Sequence, residues 1–248
     1  MRLTVVGCTG SLPGPESPAS CYLVEAGDTT LVLDLGSGAL GPLQRRIGLN
    51  TVDAVLLSHL HPDHCMDLCG YYVAVRYSPW CDGSKIAIWG PAGTAERMAR
   101  AYGLPDDPGM TNEFDFNTYP DEPFVIGDVR VTAARVVHPV PAYALRVEHE
   151  GSVLVYSGDT AATQALVELA KDADLLLCEA AFTEGDANPS GHHLTGREAG
   201  EHAAAANARQ LMLTHILPWG DPDRALAEAR SAFEGPIALA RSGAIVEI

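Results

Sequence analysis

The chain predicts a layered α/β fold built from mixed sheets, on three observations. Short Val-, Leu- and Thr-rich strands separated by turns fill the beginning of the chain, and strand and helix patterns alternate after Tyr156. Polar residues also repeatedly follow directly on the ends of apolar strands, which is where open α/β sheets carry their sites. The 248 residues are 47% hydrophobic and 19% charged, enough to bury a large core, and no linker, repeat or low-complexity tract divides them.

In order, Arg2–Val6, Cys21–Ala26 and Thr30–Leu35 read as strands bounded by Gly, Pro, Ser and Asp. Asp53–Leu57 (DAVLL) reads as a strand buried on both faces. Lys85–Trp89 reads as a strand and Pro91–Tyr102 as a helix. Residues 103–123, rich in Pro, Gly, Asp and Asn, read as a loop or excursion. Residues 77–123 read as a pocket wall, a subunit contact or both. Strands resume at Val129–Val137, Ala142–Val147 and Ser152–Tyr156. Helices follow over Thr160–Lys171, Thr195–Asn207 and Asp223–Phe233, the second opened by a capping box of Thr195 and Glu198. Strands at Asp174–Cys178, Leu211–Thr214, Ile237–Ala240 and Ala244–Ile248 complete the pattern.

Composition excludes several classes. No apolar run approaches the roughly 18 residues of a membrane span. The N-terminus lacks the apolar core of a secretory signal, so a cytoplasmic protein is expected. Acids outnumber bases 32 to 16, a net charge of −16, which argues against gripping long nucleic acid. The six cysteines, Cys8, Cys21, Cys65, Cys69, Cys81 and Cys178, form no CxxC pair and read as buried or half-buried thiols.

The decisive segment is Ser58-His59-Leu60-His61-Pro62-Asp63-His64, directly behind DAVLL. His59 and His61, two apart in extended chain, leave the same face and can close on one ion. Pro62 turns the chain, and Asp63 and His64, at a helix start, can serve a second. Singly, each has a structural explanation: a hydrogen-bonded core histidine, an aspartate cap. Four ligand-capable groups within six residues outweigh it. Imidazole with carboxylate suits Zn²⁺, and also Mn²⁺ or Fe²⁺.

HxHxDH behind an apolar strand resembles the signature of the metallo-β-lactamase superfamily. His138 behind Val129–Val137, Tyr156-Ser157-Gly158-Asp159-Thr160 and Leu213-Thr214-His215 are similar to its later ligand elements. The resemblance implies a four-layer αββα sandwich forming one domain, 1–248, with two divalent ions. It assigns one ion to His59, His61 and His138, the other to Asp63, His64 and His215, with Asp159 bridging. Such a pair, about 3.5–4 Å apart, lowers the pKa of a water and clamps both oxygens of an in-line displacement.

Within the superfamily, LTVVGCTGSLPGPESPASCYLV resembles the opening of the ribonuclease Z-like branch. Leu177–Phe182 resembles its His-Glu-Ala-Thr element, with Cys178 for the His and Ala181 for the Thr. His193-Leu194-Thr195 resembles its His-Ser-Thr element. The resemblance implies that Glu179 orients His193, which protonates the leaving oxygen; the neighbouring His192 is an alternative for that acid. A polar loop histidine capping the next helix is the structural alternative. No basic, glycine-rich arm for RNA is present. GPESPAS and LTHILPW resemble the atypical class II cyclic-nucleotide phosphodiesterases, which implies hydrolysis of a small cyclic phosphodiester such as 3′,5′-cyclic AMP and a homodimer. Competing readings are a ribonuclease Z-type tRNA 3′ endonuclease, a thioester or lactam hydrolase on the same scaffold, and a binding module without turnover. Tyr71, Tyr72 and Trp219 are candidates to stack on a base, with core packing as the alternative. Gly36-Ser37-Gly38-Ala39-Leu40-Gly41 is a literal GxGxxG, but Pro42 follows it and the next strand ends in the histidine motif. A dinucleotide site is therefore not expected; the glycines read as a tight turn and Asp34 as a support for the site.

Overall fold

The structure is a computed structural model that describes residues 1–80 and 82–248; Cys81 lies outside them. The first part of the chain forms β1 (Arg2–Gly7), β2 (Cys21–Ala26), β3 (Thr29–Leu33), α1 (Leu40–Gln44), β4 (Ala54–Leu56), α2 (Pro62–Cys65), α3 (Leu68–Tyr77), β5 (Ile86–Gly90), α4 (Thr94–Tyr102) and β6 (Phe114–Thr118). The second part forms β7 (Phe124–Ile126), β8 (Val129–Arg135), β9 (Tyr143–His149), β10 (Ser152–Tyr156), α5 (Gln164–Leu169), β11 (Leu175–Glu179), α6 (Gly196–Ala205), β12 (Leu211–Thr214), α7 (Pro222–Arg230), β13 (Ile237–Leu239) and β14 (Ile245–Glu247).

Two seven-stranded mixed sheets result, ordered β14-β1-β2-β3-β4-β5-β6 and β13-β12-β11-β10-β9-β8-β7. Alternation along each strand decides the layering. In the first sheet Leu3, Val5, Leu31, Leu33 and Leu56 face Leu145, Val147, Leu154 and Leu177 of the second. Val6, Leu23, Val32, Val55 and Ile88 turn the other way, onto Leu68, Tyr71, Tyr72 and Val75 of α3 and Met98 of α4. On the far side, Val155, Leu176, Cys178 and Leu213 pack against Leu166 of α5, Ala199 and Ala203 of α6, and Ala225 and Ala229 of α7. The four layers of the expected αββα sandwich are thus helices, sheet, sheet, helices. Full burial of each aliphatic side chain contributes about 1.5–3 kcal/mol, so strands apolar on both faces belong in the middle layers.

The order places the site. β4 runs parallel to β3 and β5, and β8 and β10 are both antiparallel to β9 and so share a direction. β10, β11 and β12 run parallel. The segments behind β4, β8, β10, β11 and β12 carry the motif residues, which the two sheets deliver to one edge of the sandwich.

The structure corrects several expectations. The loop expected over 103–123 contains a strand, β6, paired parallel with β5 and burying Phe114. Its short alternation is masked by Asp115 and Asn117, which face outward on an edge strand. The helix start expected at Asp63 is the short α2, and a second helix, α3, follows it: LCGYYVAVRY carries Gly, Val and Tyr, weak helix formers, and is held by packing of Leu68, Tyr71 and Val75. The helix expected from Thr160 begins at Gln164, because Thr163 caps it, accepting from the Ala165 N–H. The helix expected from Pro91 begins at Thr94, behind Gly93 at φ 87. The capping box of α6 is present: Thr195 Oγ1 accepts from the Glu198 N–H and Glu198 Oε2 from the Thr195 N–H. No helix among the described residues is long and apolar enough to cross a membrane.

Candidate metal and active site

The DAVLL strand, β4, ends at Leu56, and the chain that follows through Ser58 presents His59 and His61 together, their Nε2 and Nδ1 atoms 3.0 Å apart. His138, behind β8, brings Nε2 to 3.2 Å from the same His61 Nδ1. Its own Nδ1 donates to the His192 carbonyl at 2.9 Å, which leaves Nε2 as a bare lone pair. With Asp159 these three offer donor atoms all within 4.8 Å of one another. Asp63, His64, Asp159 and His215 form a second group on the same criterion. There His64 Nε2 lies 3.1 Å from His215 Nε2, and His215 Nε2 lies 3.1 Å from Asp63 Oδ2. All seven residues assigned from the sequence meet in two groups that share Asp159.

These spacings fit a cation better than they fit hydrogen bonds alone. Three ring nitrogens converge around His61, and one shared proton satisfies only one pair of them. Donor atoms around a tetrahedral Zn²⁺ with bonds of about 2.0–2.1 Å stand about 3.3–3.4 Å apart, within a few tenths of an ångström of the spacings here. Asp159 Oδ1 is buried with no hydrogen-bond partner, 3.3 Å from His64 Nε2 and 3.4 Å from His215 Nε2. A buried carboxylate oxygen left unpaired costs far more than a neutral group would, so this oxygen is shaped for a positive charge.

The titration properties agree. Burial lowers His138 to about 4 and holds His59 well below the ordinary histidine value, so both are neutral at pH 7. Burial also opposes charge on His64, but Asp159 and Asp34 outweigh it and raise that ring well above the ordinary value. Burial works against ionised Asp63, yet hydrogen bonds from His215 and His64 carry its carboxyl far below the usual range.

His193 stands beside this cluster, its ring 5.4 Å from that of His215. Its Nδ1 donates to Glu179 Oε1 at 2.9 Å. Glu179 is fully buried at the end of β11 and is held by four donors: Thr160 N and His193 on Oε1, Ala181 N and Leu194 N on Oε2. Burial disfavours a charged His193, but Glu179 and Asp159 prevail and raise it to about 9. His192 turns away, with Nδ1 on the Ser190 carbonyl, and serves the site through its own carbonyl. Glu179, His193 and His215 also offer donor atoms within 4.8 Å of each other, but Glu179 and His193 are committed to one another, an arrangement for holding a proton.

Supporting residues hold these groups. Asp34, at φ 56, accepts from Ser58 N, Ser58 Oγ, His64 Nδ1 and Tyr156 OH. Gly36 passes so close to the motif that an added Cβ would lie 1.9 Å from the Asp63 carbonyl oxygen. Gly158, at φ 57, brings the chain against Ser58 and the Tyr143 carbonyl, which explains the glycine ahead of Asp159. The GxGxxG segment is no phosphate cradle: Asp67 already accepts from Gly38 N and Leu40 N. Of the aromatic candidates, Tyr71 and Tyr72 are core residues, whereas Trp219 is 69% exposed. Trp219 lies in the loop behind His215, between Pro218 and Gly220, which line a cavity of about 490 Å³. The Tyr156 hydroxyl on Asp34, and the Tyr22 hydroxyl 2.6 Å from Oγ1 of Thr214 just before His215, leave no signal in the sequence, where both belong to apolar strands.

Fold and site together are those of a metal-binding αββα sandwich. The profile of the Beta-lactamase superfamily domain matches residues 28–216, and the chain belongs to that superfamily. It is 44% identical over 254 residues to an uncharacterized protein of Mycobacterium leprae (strain TN), covering 100% of this chain and 89% of the relative. It is 32% identical over 254 residues to the probable metallo-hydrolase YhfI of Bacillus subtilis (strain 168), covering 100% of both. The crystal structure of the YhfI metallo-beta-lactamase fold protein superposes with a TM-score of 0.90 at 29% identity, covering 100% of this chain and 99% of that one. The ribonuclease Z of Haloarcula marismortui is 27% identical over 301 residues, covering 98% of this chain and 95% of the relative. The chain falls in the ribonuclease Z-like branch of the superfamily.

Proposed function

We propose that the protein is a dinuclear-metal phosphodiesterase that opens a small cyclic phosphodiester, 3′,5′-cyclic AMP foremost, to a nucleoside monophosphate. One ion is assigned to His59, His61, His138 and Asp159, the other to Asp63, His64, His215 and Asp159. Zn²⁺ suits the imidazole-rich set, with Mn²⁺ or Fe²⁺ as alternatives. Bound there, two divalent ions supply a nucleophilic water at neutral pH and offset charge on the phosphoryl oxygens. Asp63 is both ligand and catalytic residue in this reading.

The observation that carries the phosphodiester is the His193–Glu179 pair beside the cluster. A ribose oxygen leaves as a strongly basic alkoxide and needs a proton; a thiolate leaves without one, so a thioester hydrolase has no use for a built acid. His193, protonated at neutral pH, donates through Nε2 while Glu179 fixes the ring through Nδ1. A small substrate is favoured over RNA by the net charge of −16, which repels a long polyanion beyond the reach of two ions. Of the three aromatic candidates, Trp219 is the one left exposed to meet a base. A tRNA 3′ endonuclease is the second reading, favoured by the likeness to ribonuclease Z.

Metal analysis paired with hydrolysis of cyclic AMP, cyclic GMP and a precursor tRNA tests this. Two divalent ions per chain and turnover of cyclic AMP are expected, with Asp63→Ala inactive on every substrate. Intact cyclic AMP alongside a trimmed tRNA would establish the second reading. A homodimer and a cytoplasmic location belong to the same reading; light scattering of the purified protein checks the first.

A further inference from the structure

The two ligand groups draw on both sheets, and a buried hydroxyl of the second sheet bonds the carboxylate that holds the first sheet's His64. We infer that Tyr156 is a positioning residue for the ion assigned to Asp63, His64, Asp159 and His215, acting through Asp34 on the ring of His64; this rests on the metal assignment above.

Asp34 is fully buried and accepts four hydrogen bonds. Oδ1 takes the Ser58 N–H at 2.6 Å, while Oδ2 takes Ser58 Oγ, His64 Nδ1 and Tyr156 OH, each at 2.7 Å. Three donors on one oxygen fix one another's directions, because a carboxylate has only about four lone-pair sites over both oxygens. His64 Nδ1 therefore keeps its hydrogen, and Nε2, which faces Asp63, Asp159 and His215, is the nitrogen that would bind the ion once its own proton is released. Ser58 and His64 both follow β4 of the first sheet; Tyr156 alone of the donors comes from the second, at the end of β10.

Tyr156 also stands three residues before Asp159, whose Oδ1 lies 3.3 Å from His64 Nε2. The hydroxyl itself bonds Asp34 and not Asp159, the residue common to both groups, so it reaches the cluster through the ring of His64. The His59, His61 and His138 group receives no bond from Tyr156; His138 is oriented by the His192 carbonyl and His59 Nδ1 lies 3.1 Å from Ser58 Oγ. The effect should fall on one ion and spare the other.

The test is stepwise Zn²⁺ binding to the full chain, measured by competition with a chelating dye, with Co²⁺ spectra as a second readout. Tyr156→Phe keeps the ring and removes only the hydroxyl. It is expected to weaken one of two binding steps about 10- to 100-fold and leave the other within about threefold, with altered Co²⁺ bands for the weakened step alone. Asp34→Asn, of the same shape, should weaken the same step. Tyr71→Phe deletes a comparably buried hydroxyl, bonded to the Leu49 carbonyl far from the cluster, and should leave both steps unchanged. Two wild-type steps in Tyr156→Phe, or an equal loss in both steps, would overturn the inference while leaving the metal assignment standing. A wild-type protein that takes up no ion would overturn both.

Discussion

Replacing Glu179 by Gln tests the proposed acid most directly. The glutamine keeps the shape but loses the larger of the two charges that, with Asp159, raise His193 from the ordinary 6.5 to about 9, together a factor of roughly 300 in proton affinity, or about 3 kcal/mol. The amide also meets poorly suited partners, since all four contacts of the carboxylate are donors and the new NH₂ cannot accept from them. At pH 7.5 most of His193 is then neutral. General-acid catalysis is worth about 10²–10⁴-fold, so turnover of cyclic AMP should fall by about 100-fold or more. Bis-p-nitrophenyl phosphate, whose phenolate leaves unaided, should fall less than about 10-fold. Both rates are read on the same metal-loaded preparation, with metal content and Tm recorded to separate chemistry from unfolding. Equal losses on the two substrates, at unchanged metal content, would refute the assignment of His193 and Glu179 as a proton-donating pair.

Three further outcomes follow from the geometry. The alkaline limb of the activity profile on cyclic AMP should lie at or below about pH 9, because a raised pKa keeps His193 protonated at neutral pH and bound cations pull it downward; a profile still rising past pH 9.5 would contradict this. Uptake of divalent ions at pH 7 should release about one proton per chain, since His64 is raised well above its ordinary value and must be neutral to coordinate; calorimetry in buffers of different ionisation enthalpy reads it. Gly36→Ala should cost about 3 kcal/mol, the upper range for overpacking, because its Cβ would stand 1.9 Å from a backbone oxygen; wild-type denaturant stability and metal affinity would show that this close approach is not needed.

The clustering of the seven residues was legible because they sit in one short motif or directly behind apolar strands, positions that sheet geometry gathers at one edge. Glu179 and His193 were singled out by resemblance, and the structure sets His193 on Glu179 and turns His192 to the Ser190 carbonyl, partners that no spacing encodes. The strands buried on both faces announced themselves as apolar runs. What stayed hidden had weak local signal. Strand β6 is short and half polar, and α3 is helical by packing rather than by propensity. The Tyr156 hydroxyl is invisible in SVLVY because its partner, Asp34, lies 122 positions away along the chain. Long-range polar pairs of this kind leave no periodicity to read.

The cluster takes His59, His61, Asp63 and His64 from behind the first sheet and His138, Asp159 and His215 from behind the second. The hydrocarbon between them, where Leu31, Leu33 and Leu56 meet Leu145, Leu154 and Leu177, therefore acts as a gauge block. Its thickness sets how far apart the two jaws of imidazole and carboxylate stand. A methylene trimmed from that slab, well away from any ionisable group, changes the gap at the rim as well as the melting temperature.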